Sequence, residues 1–449
     1  MRDDEAGTGG AQTEWDRRLR AMADLAPASR YPAFKEPLAL LGLIYVGRRD
    51  EVPTDDVAAR EPSRLTLGLA EAVENHAMLR GQPFSRHLLS GLTTIDPAVI
   101  GGWLEIGMGD WPSEGFPEWF AARLDDLGFA DRHDTPSSVC RLLASLVADP
   151  SSYASVFDPA CGSGGLLAAA AEHIGQPALF GQEISAEAWA WAAMRFLVQG
   201  LGNVRLAMGN ALTDRAFAGI APDGGFDLVM SNPPFGMLVD RQTVSQLSRR
   251  GGDLLAGATG RVSSETAHVQ EIFGSLSATG KASIIVPNGF LSRGGADRKL
   301  REALIGHDAV EAVIGLPERL FAGTTIETAI LILKRQKPDD RKGHVLFLDA
   351  RGLGRREGTR MVLDEAAGDR IGTAFRDWRT EVGFSRVVPL EMLKAADFSL
   401  SPARHVERTP PPATMSFLDR RSRIVELDER HAALCREYEA LRAQLAKPD

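Results

Sequence analysis

The sequence is poor in cysteine, has no excess of positive charge and lacks a long apolar run. Its three cysteines, Cys140, Cys161 and Cys435, are odd in number and far apart. That excludes a disulfide framework and a cysteine-based metal cluster, so no metal site is expected, and it fits a reducing compartment. The formal charge over 449 residues is −9, so no global basic field announces a free-standing nucleic-acid binder. No apolar stretch reaches the roughly 18 residues a membrane span needs, and the polar start from Met1 to Trp15 has no signal core. A soluble, cytoplasmic chain is the expectation, with no membrane partner. The 44% hydrophobic content permits a large core, and the length allows two or three domains.

The most informative stretch is Phe226-Asp-Leu-Val-Met-Ser-Asn-Pro-Pro-Phe-Gly236. The run Leu228-Val229-Met230 reads as a buried parallel strand that stops at two prolines. Pro233 and Pro234 fix φ and remove donors, so they cannot continue a sheet. A stiff turn at the carboxyl end of a strand remains, where open α/β sheets place ligands. It suits a planar base with an exocyclic amino group: Asn232 and the Pro233 carbonyl accept from the NH₂, and Phe235 stacks.

Seventy residues earlier, Ser155-Val-Phe-Asp-Pro-Ala-Cys-Gly-Ser-Gly-Gly165 reads as a strand, a glycine-rich turn and the start of an alanine-rich helix. Ala160, Cys161, Gly162, Ser163 and Gly164 let backbone approach a ligand closely. The glycine spacing is a weak match to a dinucleotide fingerprint. Asp158 would repel a phosphate and favours a cationic or hydroxyl-rich ligand. Glu183 ends the next short strand, 25 residues after Asp158, at about the distance of an acid that grips ribose hydroxyls. Asn210, beside Ala211, ends a third strand and can meet an adenine edge. Four strand ends in order describe a pocket for adenosine plus a sulfonium. Cys161 reads as a small wall residue and not a nucleophile.

On these residues the chain resembles the amino-group N6-adenine DNA methyltransferases, and specifically the modification subunit of type I restriction–modification systems. The resemblance covers about residues 131–406. It includes Asp134-Thr135-Pro136-Ser137-Ser138-Val139, Asp158 to Gly165, Gly181-Gln182-Glu183-Ile184 and Asn232-Pro233-Pro234-Phe235. Downstream it includes Gly280 to Gly289, Ala312 to Pro317 and Thr328 to Lys334. The Asn-Pro-Pro-aromatic motif also occurs in protein-glutamine and RNA methyltransferases; the downstream segments favour the DNA family. The resemblance implies a Rossmann-like class I methyltransferase sheet, S-adenosylmethionine as cofactor and site-specific methylation of adenine N6. It implies that Thr135 and Pro136 hold the cofactor's methionine end, with Ile184 in the same pocket. Implied partners are double-stranded DNA, a DNA-specificity subunit, a second copy of the chain and a restriction subunit.

The expected organisation is a disordered start over 1–14, a helical N-terminal domain over 15–130 and a catalytic domain over 131–406. Within the helical part Trp103, Trp111 and Trp119 read as local core. Strands are expected near 155, 178, 204, 226, 281, 309, 327 and 344, with a crossover helix from Ala186 to Gly200. Between Phe235 and Glu265 the chain lacks periodicity. Its Arg241, Arg249, Arg250 and Arg261 outnumber Asp240 and Asp253, so a DNA-contacting loop is expected there. A proline-rich linker over 407–415 then leads to a C-terminal helix over 416–447. Phe417 lies one heptad before Ile424, and Ile424, Leu427, His431, Leu434, Tyr438, Leu441 and Leu445 follow alternating spacings of 3 and 4. That coiled-coil-like seam needs burial against another helix, and the resemblance assigns it to the specificity subunit. Two rivals stay open: methylation of a protein amide or RNA, and a non-catalytic cofactor-binding assembly subunit.

Overall fold

A computed structural model describes residues 4–25, 34–50, 95–110, 112–127, 135–147, 153–175, 177–219, 224–250, 254, 261–321, 325–407, 429–434, 436 and 438. Its centre is a nine-stranded, mostly parallel sheet in a mixed α/β fold. Four parallel strands come first: β1 (Ser155–Asp158), β2 (Ala178–Glu183), β3 (Val204–Met208) and β4 (Phe226–Ser231). A short ribbon, β5 (Leu238–Val239) with β6 (Val262–Ser263), precedes β7 (Leu276–Pro287). Then come β8 (Val310–Gly315), β9 (Thr328–Lys334) and β10 (His344–Asp349), a small hairpin of β11 (Arg355–Glu357) and β12 (Arg360–Val362), and β13 (Ser385–Pro389). The sheet order is β13-β10-β8-β9-β7-β4-β1-β2-β3, with β9 and β13 antiparallel to their neighbours.

Each expected strand is present, and β13 is a ninth that the apolar pattern did not announce. The central strands are buried on both faces, so they read as continuous apolar runs. Val156 belongs to one core and the adjacent Phe157 to the other. The first core takes in helices Ser137–Val147, Gly165–His173 and Ala186–Val198, and the second is built around Phe180, Phe226, Val229 and Ile284. From β1 the chain winds outward to β2 and β3, then returns to place β4 on the other side. That reversal is the switch point at which open α/β sheets form a crevice.

The start of the chain departs from expectation. Residues 4–14 belong to a helix, Asp4–Leu25, and are not a disordered lead. Trp15, Leu19 and Met22 anchor that helix, each at most 5% exposed, and Trp15 meets Phe116 edge-on at 5.7 Å. Helix Lys35–Arg49 packs on helix Ala186–Val198. A side chain at Gly42 would meet the Phe120 ring at 2.9 Å and Met194 Sδ at 3.0 Å, so glycine allows the close approach. Trp103 and Trp119 are buried in the same core, which runs on into the sheet; Trp111 lies outside the described residues. Contacts group Met1–Val406 as one compact unit and Glu407–Asp449 as another.

In the second unit, residues 429–434, 436 and 438 are helical. His431 is exposed, as are Leu434 at 58% and Tyr438 at 63%. The linker and the remaining seam positions, Phe417, Ile424, Leu427, Leu441 and Leu445, lie outside the described residues. Among the described residues no helix is long and apolar enough to cross a membrane, and no cluster of histidine, cysteine and carboxylates could hold a metal.

Candidate active site

The carboxyl ends of β1, β2, β3 and β4 bring Asp158, Glu183, Met208 and Asn232 to one edge of the sheet. Asp158 is fully buried. Its Oδ1 accepts from the Ala160 N–H at 3.0 Å and the Ser231 hydroxyl at 2.8 Å. Its Oδ2 is buried with no hydrogen-bond partner. Burial pushes the carboxyl up to about 7; the two donors oppose that shift and Glu183 adds to it. A buried carboxylate with an unused oxygen is costly unless something cationic or donating meets it.

Beyond Asp158 the chain turns sharply, with φ of +53° at Gly162 and +84° at Gly164. A Cβ on Gly164 would lie 2.6 Å from the Phe196 ring. Glu183 grips this turn: one carboxylate oxygen accepts from Gly162 N–H at 2.8 Å and the other from Ser185 N–H at 2.7 Å. Arg195 holds the turn from behind, donating to the Ser163 carbonyl at 2.8 Å. Burial and the two nearby carboxylates push the Cys161 thiol well up, which fits a wall residue. Ile184, directly after Glu183, is 68% exposed.

Asn210 caps its own turn, its side-chain oxygen accepting from Leu212 N–H at 3.0 Å, and Ala211 beside it is buried. Gln182 and Ala211 also line a cavity of about 170 Å³ with Phe157, Phe217, Phe226 and the ion-paired Arg215 and Glu271. Asp158, Glu183 and Asn232 do not line it, so the candidate site is the strand-tip crevice and not this cavity.

The proline turn is fixed from two sides. Asn232 Nδ2 donates to Thr135 Oγ1 at 3.0 Å, which orients the amide and ties the Thr135-Pro136 segment to the proline turn. The Ser264 hydroxyl donates to the Pro234 carbonyl. Gly236, at φ +75°, donates its N–H to Glu265 at 3.1 Å. Glu265 is fully buried and receives Arg293, which also pairs with Asp297 at 2.7 Å. Phe235 is half-buried against the core.

Sequence reasoning missed Ser231, Ser264, Glu265 and Arg293. The clue available for Ser231 was its place directly before Asn232; the others lie about 30 to 60 residues from the turn they hold. The stretch after Phe235 needs correction, because it is not a structureless loop. Leu238 pairs with Ser263 and Val239 with Val262, and Arg241–Arg250 is a helix with Thr243 and Leu247 buried. Arg241, Arg249 and Arg250 are carried on that helix and Arg261 is exposed just before β6. Residues 251–253 and 255–260 lie outside the described set.

A family model described as N-6 DNA Methylase matches residues 130–411. A type I restriction enzyme methylase subunit of Haemophilus influenzae is 30% identical over 61% of this chain and 62% of its own length. One from Methanocaldococcus jannaschii is 28% identical over 61% of this chain and 49% of its own. The chain thus covers less than two-thirds of either relative. The type I restriction–modification methyltransferase subunit of Streptococcus thermophilus shares the fold, with a TM-score of 0.68 at 18% identity over 89% of this chain and 100% of that one. A chain from a type I system described in terms of complex assembly has a TM-score of 0.66 at 19% identity over 98% and 99%. With the family model spanning well over half of its residues, the chain belongs to the N-6 DNA methylase family.

Proposed function

We propose that this chain transfers the methyl group of S-adenosylmethionine to N6 of an adenine flipped out of DNA, as the modification subunit of a type I-like complex. The observation that carries this reading is Asn232, its amide oriented by Thr135 at the carboxyl end of β4, followed at once by Pro233 and half-buried Phe235. When bound, the cofactor supplies a methyl group made electrophilic by its sulfonium. The residues present fit it: Asp158 has an unused buried oxygen for a cation, Glu183 lies where ribose hydroxyls are gripped, and exposed Ile184 offers an apolar face to adenine. Ala160 to Gly164, Thr135, Pro136, Asn210 and Ala211 complete the wall.

On the base side, the Asn232 Oδ1 and Pro233 carbonyl accept from the adenine NH₂. The Pro234 carbonyl is taken by Ser264, so Pro233 is the carbonyl left for this task. Two acceptors favour a pyramidal nitrogen whose lone pair can attack. The contribution is orientation and preorganised dipoles and not ionisation of the amine. Neither acceptor is a base, so the proton shed by nitrogen leaves to water. The geometry cannot be met inside a duplex, so the adenine flips and Phe235 receives it by stacking.

Double-stranded DNA, the specificity subunit through the C-terminal helix, a second copy and a restriction subunit belong to the same proposal. The chain's −9 charge supports a partner that supplies part of the DNA grip. In the test, Asn232→Ala is compared with the unaltered protein for N6-methyladenine in DNA and for cofactor affinity. Methylation should fall at least about a hundredfold while affinity holds. Joint loss of both would remove Asn232 from the base side.

A further inference from the structure

We infer that Met237 and Leu238 form an apolar wedge that enters the DNA stack and fills the space vacated by the flipped adenine. The inference rests on the functional reading above. Met237 is 56% exposed and Leu238 58%, and they are the consecutive pair among the large, exposed hydrophobic residues of the described chain. They follow Phe235-Gly236 directly, so the wedge and the proposed base-stacking ring are two residues apart.

The pair is held and not loose. The Met237 carbonyl accepts from Ser264 N–H at 2.8 Å, and Leu238 sits in register with Ser263 across the ribbon. Gly236 is tied to buried Glu265, which Arg293 clamps. Two apolar side chains fixed in the open are unfavourable in water, and a preformed apolar projection loses little entropy on insertion. The surroundings suit a duplex: exposed Arg261 leads into β6, and the arginine-bearing helix Arg241–Arg250 begins two residues after Val239. Extruding a base leaves an unstacked gap, and DNA-binding proteins insert apolar side chains between base steps. Filling that gap stabilises the flipped state that Asn232 acts on.

The test uses the full chain in the complex purified with its co-expressed neighbours. Duplexes carry the target adenine opposite either thymine or an abasic position. For Met237→Ala/Leu238→Ala, kcat/KM on the paired duplex should drop about tenfold or more, with little loss on the abasic duplex, where unpairing has already been prepaid. Cofactor affinity should not change, and Met237→Leu/Leu238→Met should retain activity. Equal loss on both duplexes, or no loss on either, overturns the wedge. An unaltered protein that binds cofactor but methylates neither duplex overturns the functional reading, and the wedge with it.

Discussion

Two carboxylates buried in the same sheet meet opposite fates. Glu311, in a register shift near the amino end of β8, pairs with Lys281 at 3.2 Å and Arg341 at 3.0 Å. Burial alone would raise its pKa, but Lys281, Lys334 and Arg341 outweigh burial and hold it below the usual carboxylate range. Lys281 lies 4.9 Å from the Phe375 ring and Arg341 4.3 Å from that of Trp378, so the pairing is enclosed by aromatics. Asp158, at the carboxyl edge, has donors on one oxygen and none on the other, and is held up at about 7. One edge of the sheet closes its charge balance internally, whereas the other leaves a place for something that arrives. That asymmetry supports placing the proposed site at the carboxyl edge.

The largest effect should come from breaking the closed edge. Glu311→Ala leaves Lys281 buried without its partner and should cost about 3–5 kcal/mol in chemical denaturation, with cofactor affinity retained in the folded fraction. Asp158→Asn should do the reverse. The native carboxyl binds its proton more tightly when folded, so its contribution to stability is complete below about 3.8 and is lost as pH rises through about 7. The variant should gain on the unaltered protein across that window, by roughly 4 kcal/mol at its upper end, while binding cofactor more weakly but still measurably. Glu183→Ala should weaken cofactor binding by about 1–3 kcal/mol in calorimetry, since it removes charge-assisted hydrogen bonds and slackens the glycine turn. Thr135→Val removes the hydroxyl that accepts from the Asn232 amide and should lower kcat about tenfold, with Thr135→Ser restoring it.

What the sequence revealed was whatever a local rule governs. The central strands are buried on both faces and show as apolar runs, and the proline pair after Met230 marks a strand end regardless of context. β13 escaped because an edge strand whose one buried apolar residue is Val388 has no such run. Helix Arg241–Arg250 escaped because, among its described side chains, it buries only Thr243 and Leu247 in a polar segment. The start looked too glycine-rich and acidic to order, yet Trp15 and Met22 tether it to the core. The supports of the proline turn are side chain-to-backbone bonds over long separations, such as Ser264 to Pro234 and Glu265 to Gly236. They depend on how β7 and its preceding helix pack, which no local pattern encodes.

The central claim is that Asp158 is an unfinished charge awaiting a cationic ligand. It is tested most directly by calorimetry of S-adenosylmethionine binding from pH 6 to 8 in buffers of different ionisation enthalpy. Glu183 and Cys161 are the other titratable groups coupled to it. A cation beside Asp158 favours its ionised form, so binding should release a proton below about pH 7 and affinity should rise with pH up to that point. Asp158→Asn should release none and lose that rise. Proton release and pH dependence that are the same in both proteins would contradict the account.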